Sequence, residues 1–353
     1  RGGEGERGGG GVGGDRGDGE DKGEESTICN LQSAIFTSHP TDPLQLPTDP
    51  TQRLGVLHSY PDWIVEVWQE QFGLEETEQL CLWMNQPPPI DVRVNRLKVS
   101  VEQVESAMRA TGVTMERVTP LPQALRLMEH VGAIQKLPGF QEGWWMVQDS
   151  SAQLVSHLLD PQPGELIIDA CAAPGGKAIH LAELMDDRGT VWACDKTPSR
   201  LKKLQQNCDR LNIQSIRIHA GDSRNLPQFV DQADRVLVDV PCSGLGTLHR
   251  HADARWRQTP ETVQDLVQLQ TELLEEAASW VKPGGSLVYA TCTLHPAENE
   301  HLVDRFLVNH SGWKQELPSG LPLSAFTSAN GWIKVLPHCH SMDGFFMVRL
   351  RRL

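Results

Sequence analysis

Leu166-Ile167-Ile168-Asp169-Ala170-Cys171-Ala172-Ala173-Pro174-Gly175-Gly176-Lys177 is the stretch whose reading decides the fold. Leu166 to Ala170 is a short apolar run with an acid near its end, as in a strand buried on both faces. Pro174-Gly175-Gly176 then turns the chain into a helical pattern over Lys177–Met185. Glycine lets backbone turn tightly and approach a ligand closely. The loop is not a Walker A loop, which needs Gly where Cys171 stands and Ser or Thr where Ala178 stands. Nor is it the G-x-G-x-x-G turn of a nicotinamide dehydrogenase. A structural turn alone does not need this combination of residues.

The same strand-then-helix unit repeats downstream, which marks a mostly parallel, doubly wound α/β sheet. Thr190–Cys194 reads as a second strand ending at Asp195, and Pro198–Leu211 as a helix with Leu201, Leu204 and Leu211 on one stripe. Ser215–His219 is a third strand, followed by Gly221-Asp222, and Arg235–Asp239 a fourth. Glu261–Val281 is a long amphipathic helix stopped by Lys282-Pro283-Gly284-Gly285. Ser286–Ala290 is a fifth strand, Pro296–Asn309 a helix, and Phe345–Leu350 a last, antiparallel strand.

Ligands of such sheets bind beyond the carboxyl ends of the strands. Three acids sit there: Asp195, Asp222 and Asp239. A carboxylate after the second strand suits a ribose diol, because it accepts two hydroxyl hydrogen bonds, and one after the third suits an exocyclic amine. Helix capping explains any one of them but not all three at one rim. Two cysteines reach the same rim, Cys242 in Asp239-Val240-Pro241-Cys242-Ser243-Gly244 and Cys292 in Ala290-Thr291-Cys292-Thr293. Packed core thiols are the ordinary fate of cysteine. Here one thiol stands beside a carboxylate and both follow strands, the arrangement of a nucleophile and its helper.

The 353 residues allow two or three domains. Residues 1–50 are Gly-rich and charged, then rich in Pro, Ser and Thr, and are expected to stay disordered because they cannot bury enough apolar surface. Gly8, Gly10 and Gly13 form a chance G-x-G-x-x-G there, with no strand before it. Residues 54–148 read as a small module: a helical stretch over 54–85 with Trp63, Val67, Trp68 and Phe72 on one core-facing side, a stop at Pro87-Pro88-Pro89, then β-α-β over Ile90–Asn95, Val101–Ala110 and Val113–Val118. Arg93, Arg96 and Lys98 make it a candidate RNA-facing module, although it lacks the aromatic strands of an ordinary RRM. Residues 149–353, which carry the strand-then-helix repeat, are expected to form a second domain, the candidate catalytic one.

No run of 18 apolar residues occurs, so no membrane span is expected. The eight Cys contain no C-x-x-C pair, which argues against a zinc ribbon and for free thiols in a reducing compartment. His338-Cys339-His340 has no second cluster at ligand spacing, and no metal is expected. The net charge of −14 demands an uneven surface if the partner is nucleic acid; residues 1–25 hold eight acidic and four basic side chains. The chain starts at Arg1, which leaves an upstream domain or targeting peptide open.

Taken together, the motif residues resemble the Nol/Nop/Sun family of S-adenosylmethionine-dependent RNA cytosine-5 methyltransferases. The likeness rests on Asp169–Lys177, Asp239–Gly244 and Ala290–Thr293. Arg93-Val94-Asn95-Arg96, Leu137-Pro138-Gly139-Phe140, Val147–Ala152 and Asp343-Gly344-Phe345-Phe346 add to it, and it spans about residues 54–353. Val240 stands where the family usually has Ala, and Thr293 where it often has Ser. His249-Arg250-His251 and Trp256 bring it nearest to the bacterial RsmB type, which modifies small-subunit rRNA and carries an N-terminal NusB-like domain that residues 1–50 do not resemble.

The resemblance implies a class I, Rossmann-like methyltransferase fold. It implies S-adenosyl-L-methionine held at Cys171, Ala172, Ala173, Pro174, Gly175, Gly176 and Lys177, with Asp195 on the ribose, Asp222 on the adenine amine, and Asp239 near the sulfonium and target base. Cys292 would be the nucleophile and Cys242 would assist product release, with Lys177 a candidate to favour the thiolate. Expected further is a cytoplasmic monomer, or an organellar protein if a transit peptide is missing; Arg200, Lys202, Lys203, Arg250, Arg255, Arg257, Arg349, Arg351 and Arg352 are candidate patch residues for RNA, each more readily read as a solvated surface charge. A tRNA cytosine-5 methyltransferase would carry the same cysteine pair, and a non-catalytic ribosome-assembly factor would keep the fold without needing it.

Overall fold

The computed structural model describes residues 46–353 except 129–131, 318–322, 324, 325 and 329. The expectation of disorder over 1–50 falls, up to residue 45, outside the described residues. Its last position does not hold: helix α1 (Pro50–His58) begins there, because Asp49 accepts a hydrogen bond from the Gln52 N–H and Pro50 supplies a ready-made first turn. Helix α2 (Asp62–Met84) bends at Gly73, whose φ of 79° leaves the helical region. Trp68 is fully buried, and Trp63, Val67 and Phe72 pack on the same cluster. That cluster also contains Leu245, Leu248 and Leu294, so α1 and α2 brace the segments that follow the two rim cysteines.

Next comes a four-stranded antiparallel sheet of β1 (Ile90–Val94), β2 (Met115–Arg117), β3 (Ala124–Leu127) and β4 (Trp145–Val147), in the order β2-β3-β1-β4. Helix α3 (Val101–Ala110) has a Ser100/Gln103 capping box and buries Val101, Val104 and Met108. The β-α-β reading therefore needs correction. Strands β3 and β4, of four and three residues, are too short to show an alternation, and β3 separates β1 from β2.

Helix α4 (Ser150–Leu159), capped by Asp149, was also not legible and packs against the main sheet. That sheet consists of β5 (Leu166–Asp169), β6 (Thr190–Asp195), β7 (Ile216–Ala220), β8 (Ala233–Asp239), β9 (Val281–Thr291), β10 (Trp313–Gln315), β11 (Ile333–Val335) and β12 (Phe345–Arg352). Its order is β10-β12-β9-β8-β5-β6-β7, with β11 also on β12. Strands β5 to β9 are mutually parallel, and β12 runs antiparallel to β9. Between them lie α5 (Gly176–Leu184), α6 (Pro198–Leu211), α7 (Ala254–Arg257), α8 (Pro260–Trp280), α9 (Glu300–Asn309) and α10 (Pro337–His340).

Several boundaries differ from expectation: the helical stretch over 54–85 is two helices, α1 and α2, parted at Ser59–Pro61. Lys282–Gly285 does not end a helix ahead of a separate strand; these residues are the irregular start of β9, with Gly284 at φ 76° and a register shift opposite β8. The helix expected over Pro296–Asn309 is a 3₁₀ turn at Pro296–Glu298 followed by α9, broken at Asn299 (φ −116°, ψ −105°).

Strand β5 pairs with β6 on one side and β8 on the other, so the order of connection reverses there. A crevice opens at such a switch point. The core continues from the large sheet into the small one: Val118, Leu121, Ala124 and Met146 share a cluster with Leu154, Ile179, Leu204 and Leu237.

Candidate active site

A cavity of about 340 Å³ sits at this switch point, within the range of small-molecule sites. Cys171, Ala173, Pro174, Lys177, Asp195, Asp222, Asp239, Cys242 and Cys292 all line it. Ala172, Gly175 and Gly176 do not. They form the turn behind the wall: the Gly175 N–H donates to the Ala172 carbonyl at 2.7 Å, and Gly175 has φ 108°. A Cβ on Gly175 would come within 2.8 Å of Leu204, so glycine here answers both a backbone angle and close packing on α6.

Each acid stands at a strand end, with a distinct environment. Asp195 is buried; its Oδ1 accepts from the Thr197 N–H at 2.8 Å, and Arg200 Nη1 lies 3.4 Å from its Oδ2. Asp222 is half-exposed, and the Arg224 guanidinium beside it holds its carboxyl down to about 2. Asp239 accepts from Lys177 Nζ at 2.7 Å. Burial works against the Lys177 ammonium, but the Asp239 charge and hydrogen bond outweigh it and leave its pKa raised. Behind them, burial and then Asp239 push the Asp169 carboxyl up to about 7. The Sγ atoms of Cys242 and Cys292 are 3.3 Å apart. The contact with Cys292, followed by burial, raises the Cys242 thiol well above its ordinary value.

Sequence reasoning missed Ala170, Lys196, Ser223, Arg224, Leu269, Leu273 and Phe345 on this wall, and its list of basic residues included Arg200 for a different reason. Lys196 and Arg224 lie one and two residues beyond the strand-end acids, which was the available signal. Leu269 and Leu273 come from α8, which only the fold brings across. A second missed feature is the approach of three chain segments. The Gly246 N–H donates to the Cys292 carbonyl at 3.0 Å, and the Gly344 N–H donates to the Gly246 carbonyl at 2.7 Å. A Cβ on Gly246 would fall 2.1 Å from the Gly344 oxygen, so no larger residue fits beside the thiol turn.

The basic residues divide. Lys202 and Lys203 are exposed on α6, and Arg257 is exposed beside Asp253. Others are structural and correct the expected RNA contacts. Arg255 is buried, stacked on Tyr60 at 4.0 Å. Arg250 is held by Asp343 and Asp149. Arg349 and Arg351 face Glu316, and Arg352 pairs with Asp231. Arg93 also points inward: its side chain is 0% exposed and pairs with Glu183 at 2.9 Å. His338 and Cys339 meet Glu76 from α2, a grouping that was invisible in the sequence.

A mixed sheet in this order, a glycine turn after its first strand, acids at the next three strand ends and a cavity at the switch point define a class I S-adenosylmethionine-dependent methyltransferase. The site fits that cofactor: apolar walls from Pro174, Val240, Leu269, Leu273 and Phe345, carboxylate acceptors at Asp195 and Asp222, and the buried, unpartnered Oδ2 of Asp169 behind the loop.

The family model described as 16S rRNA methyltransferase RsmB/F matches residues 156–351, and the ferredoxin-like domain model of the same group matches residues 60–133. The chain belongs to this family. Two bacterial proteins, each named "Probable ribosomal RNA small subunit methyltransferase B", are similar to it. The one from Synechocystis is 48% identical over 306 residues, covering 85% of this chain and 68% of its own length. The one from Bacillus subtilis is 35% identical over 310 residues, covering 86% and 69%. Among solved structures, PH0851 covers 92% of this chain and 72% of its own at 34% identity, with a TM-score of 0.81. A methyltransferase homolog protein from Pyrococcus horikoshii covers 87% and 100% at 27% identity, with a TM-score of 0.76. Among the described residues, no helix is long and apolar enough to cross a membrane.

Proposed function

We propose that this protein methylates carbon-5 of cytosine in 16S small-subunit rRNA through a covalent adduct on Cys292. The observation that carries the reading is the 3.3 Å cysteine pair, which lines the same cavity as the Lys177–Asp239 ion pair. A cavity for methyl transfer to an oxygen or an exocyclic nitrogen needs no thiol. Cytosine C5 does, because it becomes nucleophilic only after a thiolate adds to C6.

Cys292 adds through Sγ to C6, and the C5=C6 electron pair moves toward C5. The Lys177–Asp239 pair passes a proton to N3 through Asp239, which neutralises the ring. S-adenosylmethionine supplies an electrophilic methyl group at this point. A base then takes the C5 proton with Cys242 assisting; the electron pair left behind rebuilds C5=C6 and expels the Cys292 thiolate, and the N3 proton returns to the Lys177–Asp239 pair. The target must leave the helical stack to reach the cavity, so unpaired rRNA is the substrate. Residues 54–148 serve as the RNA-facing module and 149–353 as the catalytic unit, acting in the cytoplasm as a monomer. The residues assigned to the cofactor are Cys171–Lys177, Asp195, Asp222 and Asp239.

The test is methyl transfer from labelled S-adenosylmethionine to unmodified small-subunit rRNA and to tRNA, resolved on a denaturing gel. Wild type labels the rRNA, Cys242→Ala traps a protein–RNA adduct, and Cys292→Ala gives neither label nor adduct. Full transfer by Cys292→Ala overturns the nucleophile, and label on tRNA alone overturns the substrate.

A further inference from the structure

The two thiol turns are held by one buried acid. Glu298 ends the 3₁₀ turn after β9 and is 0% exposed. Its Oε1 accepts from the Ser243 N–H at 2.9 Å and from Gln270 Nε2 at 2.8 Å, and its Oε2 accepts from Ser243 Oγ. Ser243 follows Cys242. The same Ser243 hydroxyl lies 2.7 Å from Thr293 Oγ1, and Thr293 follows Cys292. Gln270 also donates to the carbonyl of Pro241, just before Cys242. The next residue completes the frame: Asn299 accepts from Thr291 Oγ1 at 2.6 Å and donates to the Thr293 carbonyl at 3.0 Å. The Tyr289 hydroxyl donates to the Glu298 carbonyl at 2.7 Å.

We infer that Glu298 is a positioning residue for the reaction: it sets Cys242 against Cys292 by gripping Ser243, which follows Cys242 and whose hydroxyl in turn holds Thr293, which follows Cys292. The inference rests on the cysteine roles proposed above. A carboxyl group buried among uncharged partners is costly, and nothing about packing alone requires it. Burial raises its pKa, while the bonds from Ser243 and Gln270 pull the other way. Its bonds tie α8 directly to the Cys242 turn, and the Ser243 hydroxyl carries the link on to the Cys292 turn. A hydroxyl or a shorter acid spans only part of that gap. Without the link, the turns can drift apart, and a displacement of about 1 Å between reacting groups costs on the order of a hundredfold in rate.

The experiment compares wild type, Glu298→Ala and Glu298→Gln by two readouts. The first needs no RNA: phenylarsine oxide bridges two closely spaced thiols, forming two As–S bonds with release of one water, and intact mass reports the bridged product. Wild type is bridged at Cys242 and Cys292, Glu298→Ala loses bridging, and Glu298→Gln, which keeps the length and an acceptor oxygen, regains most of it. The second is adduct on rRNA. Glu298→Ala accumulates protein–RNA adduct, because a misplaced Cys242 cannot clear it, and kcat falls about a hundredfold while KM for RNA stays near wild type. A purely structural role lowers adduct and methylation together, in step with the folded fraction seen by circular dichroism. That result, or bridging of Glu298→Ala at the wild-type rate, overturns the inference. Loss of bridging in Glu298→Ala beside a Cys242→Ala protein that traps no RNA sinks the covalent reading and leaves the clamp standing.

Discussion

The two sheets use charge in opposite ways. At the rim of the large sheet, charged side chains stand where they can meet a ligand: Lys177, Asp195, Asp222 and Asp239 all face the cavity. In the small sheet, the charge that looks most available from the sequence is spent inside. Arg93 donates to Glu183, to Gln148 and, at 2.8 Å, to the carbonyl of Gly176, the last glycine of the turn after β5. Asn95 likewise donates to the carbonyl of Leu211 at the end of α6. The first strand of the small module is therefore a buttress for the glycine turn after β5. A basic residue in a candidate RNA module is evidence of RNA contact only once its side chain is known to reach solvent.

The sharpest way to break this contrast is at the rim. Cys292→Ser should reduce methyl transfer by at least about a thousandfold, with the unfolding midpoint unchanged, because an alcohol is a far weaker nucleophile than a thiolate. Activity measured against a denaturant curve decides it. If both fall together, the rim is structural like the buttress.

Next in size is the buttress itself. Arg93→Leu strands Glu183 in a site where its own side chain is only 4% exposed. Leaving one partner of a buried pair unmatched costs about 3–5 kcal/mol. Urea unfolding should show that loss, and Glu183→Leu added to Arg93→Leu should recover much of it. A shift below 1 kcal/mol for the single change would mean Arg93 is not held inside.

The junction carries a pH signature. His157 and His180 meet edge to face at 5.0 Å, and His180 reaches Gln123 of the small module. Burial pulls His157 down to about 4 and His180 well below its ordinary value. Both are neutral in the folded and unfolded chain above pH 6.5, so stability there is unaffected. As pH falls, the unfolded chain takes up protons that the folded chain refuses. Stability should drop between about pH 6.5 and 4, by up to about 3 kcal/mol for His157 alone. Urea midpoints across that range test it, and His157→Phe should flatten the curve.

The smallest effect belongs to the outer face of the small module. Arg117 bridges Glu102 and Glu105 at 2.8 Å, but more than half of its side chain is exposed. Arg117→Ala should leave the melting temperature where it was, since solvent and salt screen such pairs. A clear loss would show that this module depends on surface charge after all.

Much of the large sheet was legible because its signals are local. A parallel strand buried on both faces is an unbroken apolar run, and each was followed by its acid or cysteine within a residue or two. Strands β5, β6 and β8 and helix α6 accordingly start and end within about two residues of expectation. Strands β3 and β4 left no such trace. They are too short for a pattern, and their stability comes from pairing with β1 and from the core they share with the large sheet.

Residue identity and order alone determined the chemistry available at the rim: two thiols, three acids and a glycine turn, spread over the ends of five strands, with Asp239 and Cys242 sharing one. Only the tertiary structure decided which groups meet. It set Cys242 and Cys292 3.3 Å apart and gave Lys177 to Asp239. It turned Arg93, Arg255 and Arg349 inward and placed Glu298 behind both thiol turns. The reason is range. Strand, turn and capping preferences act over a few neighbours along the chain. Burial, ion pairing and contact between residues 50 to 90 positions apart are settled when the sheets and helices pack.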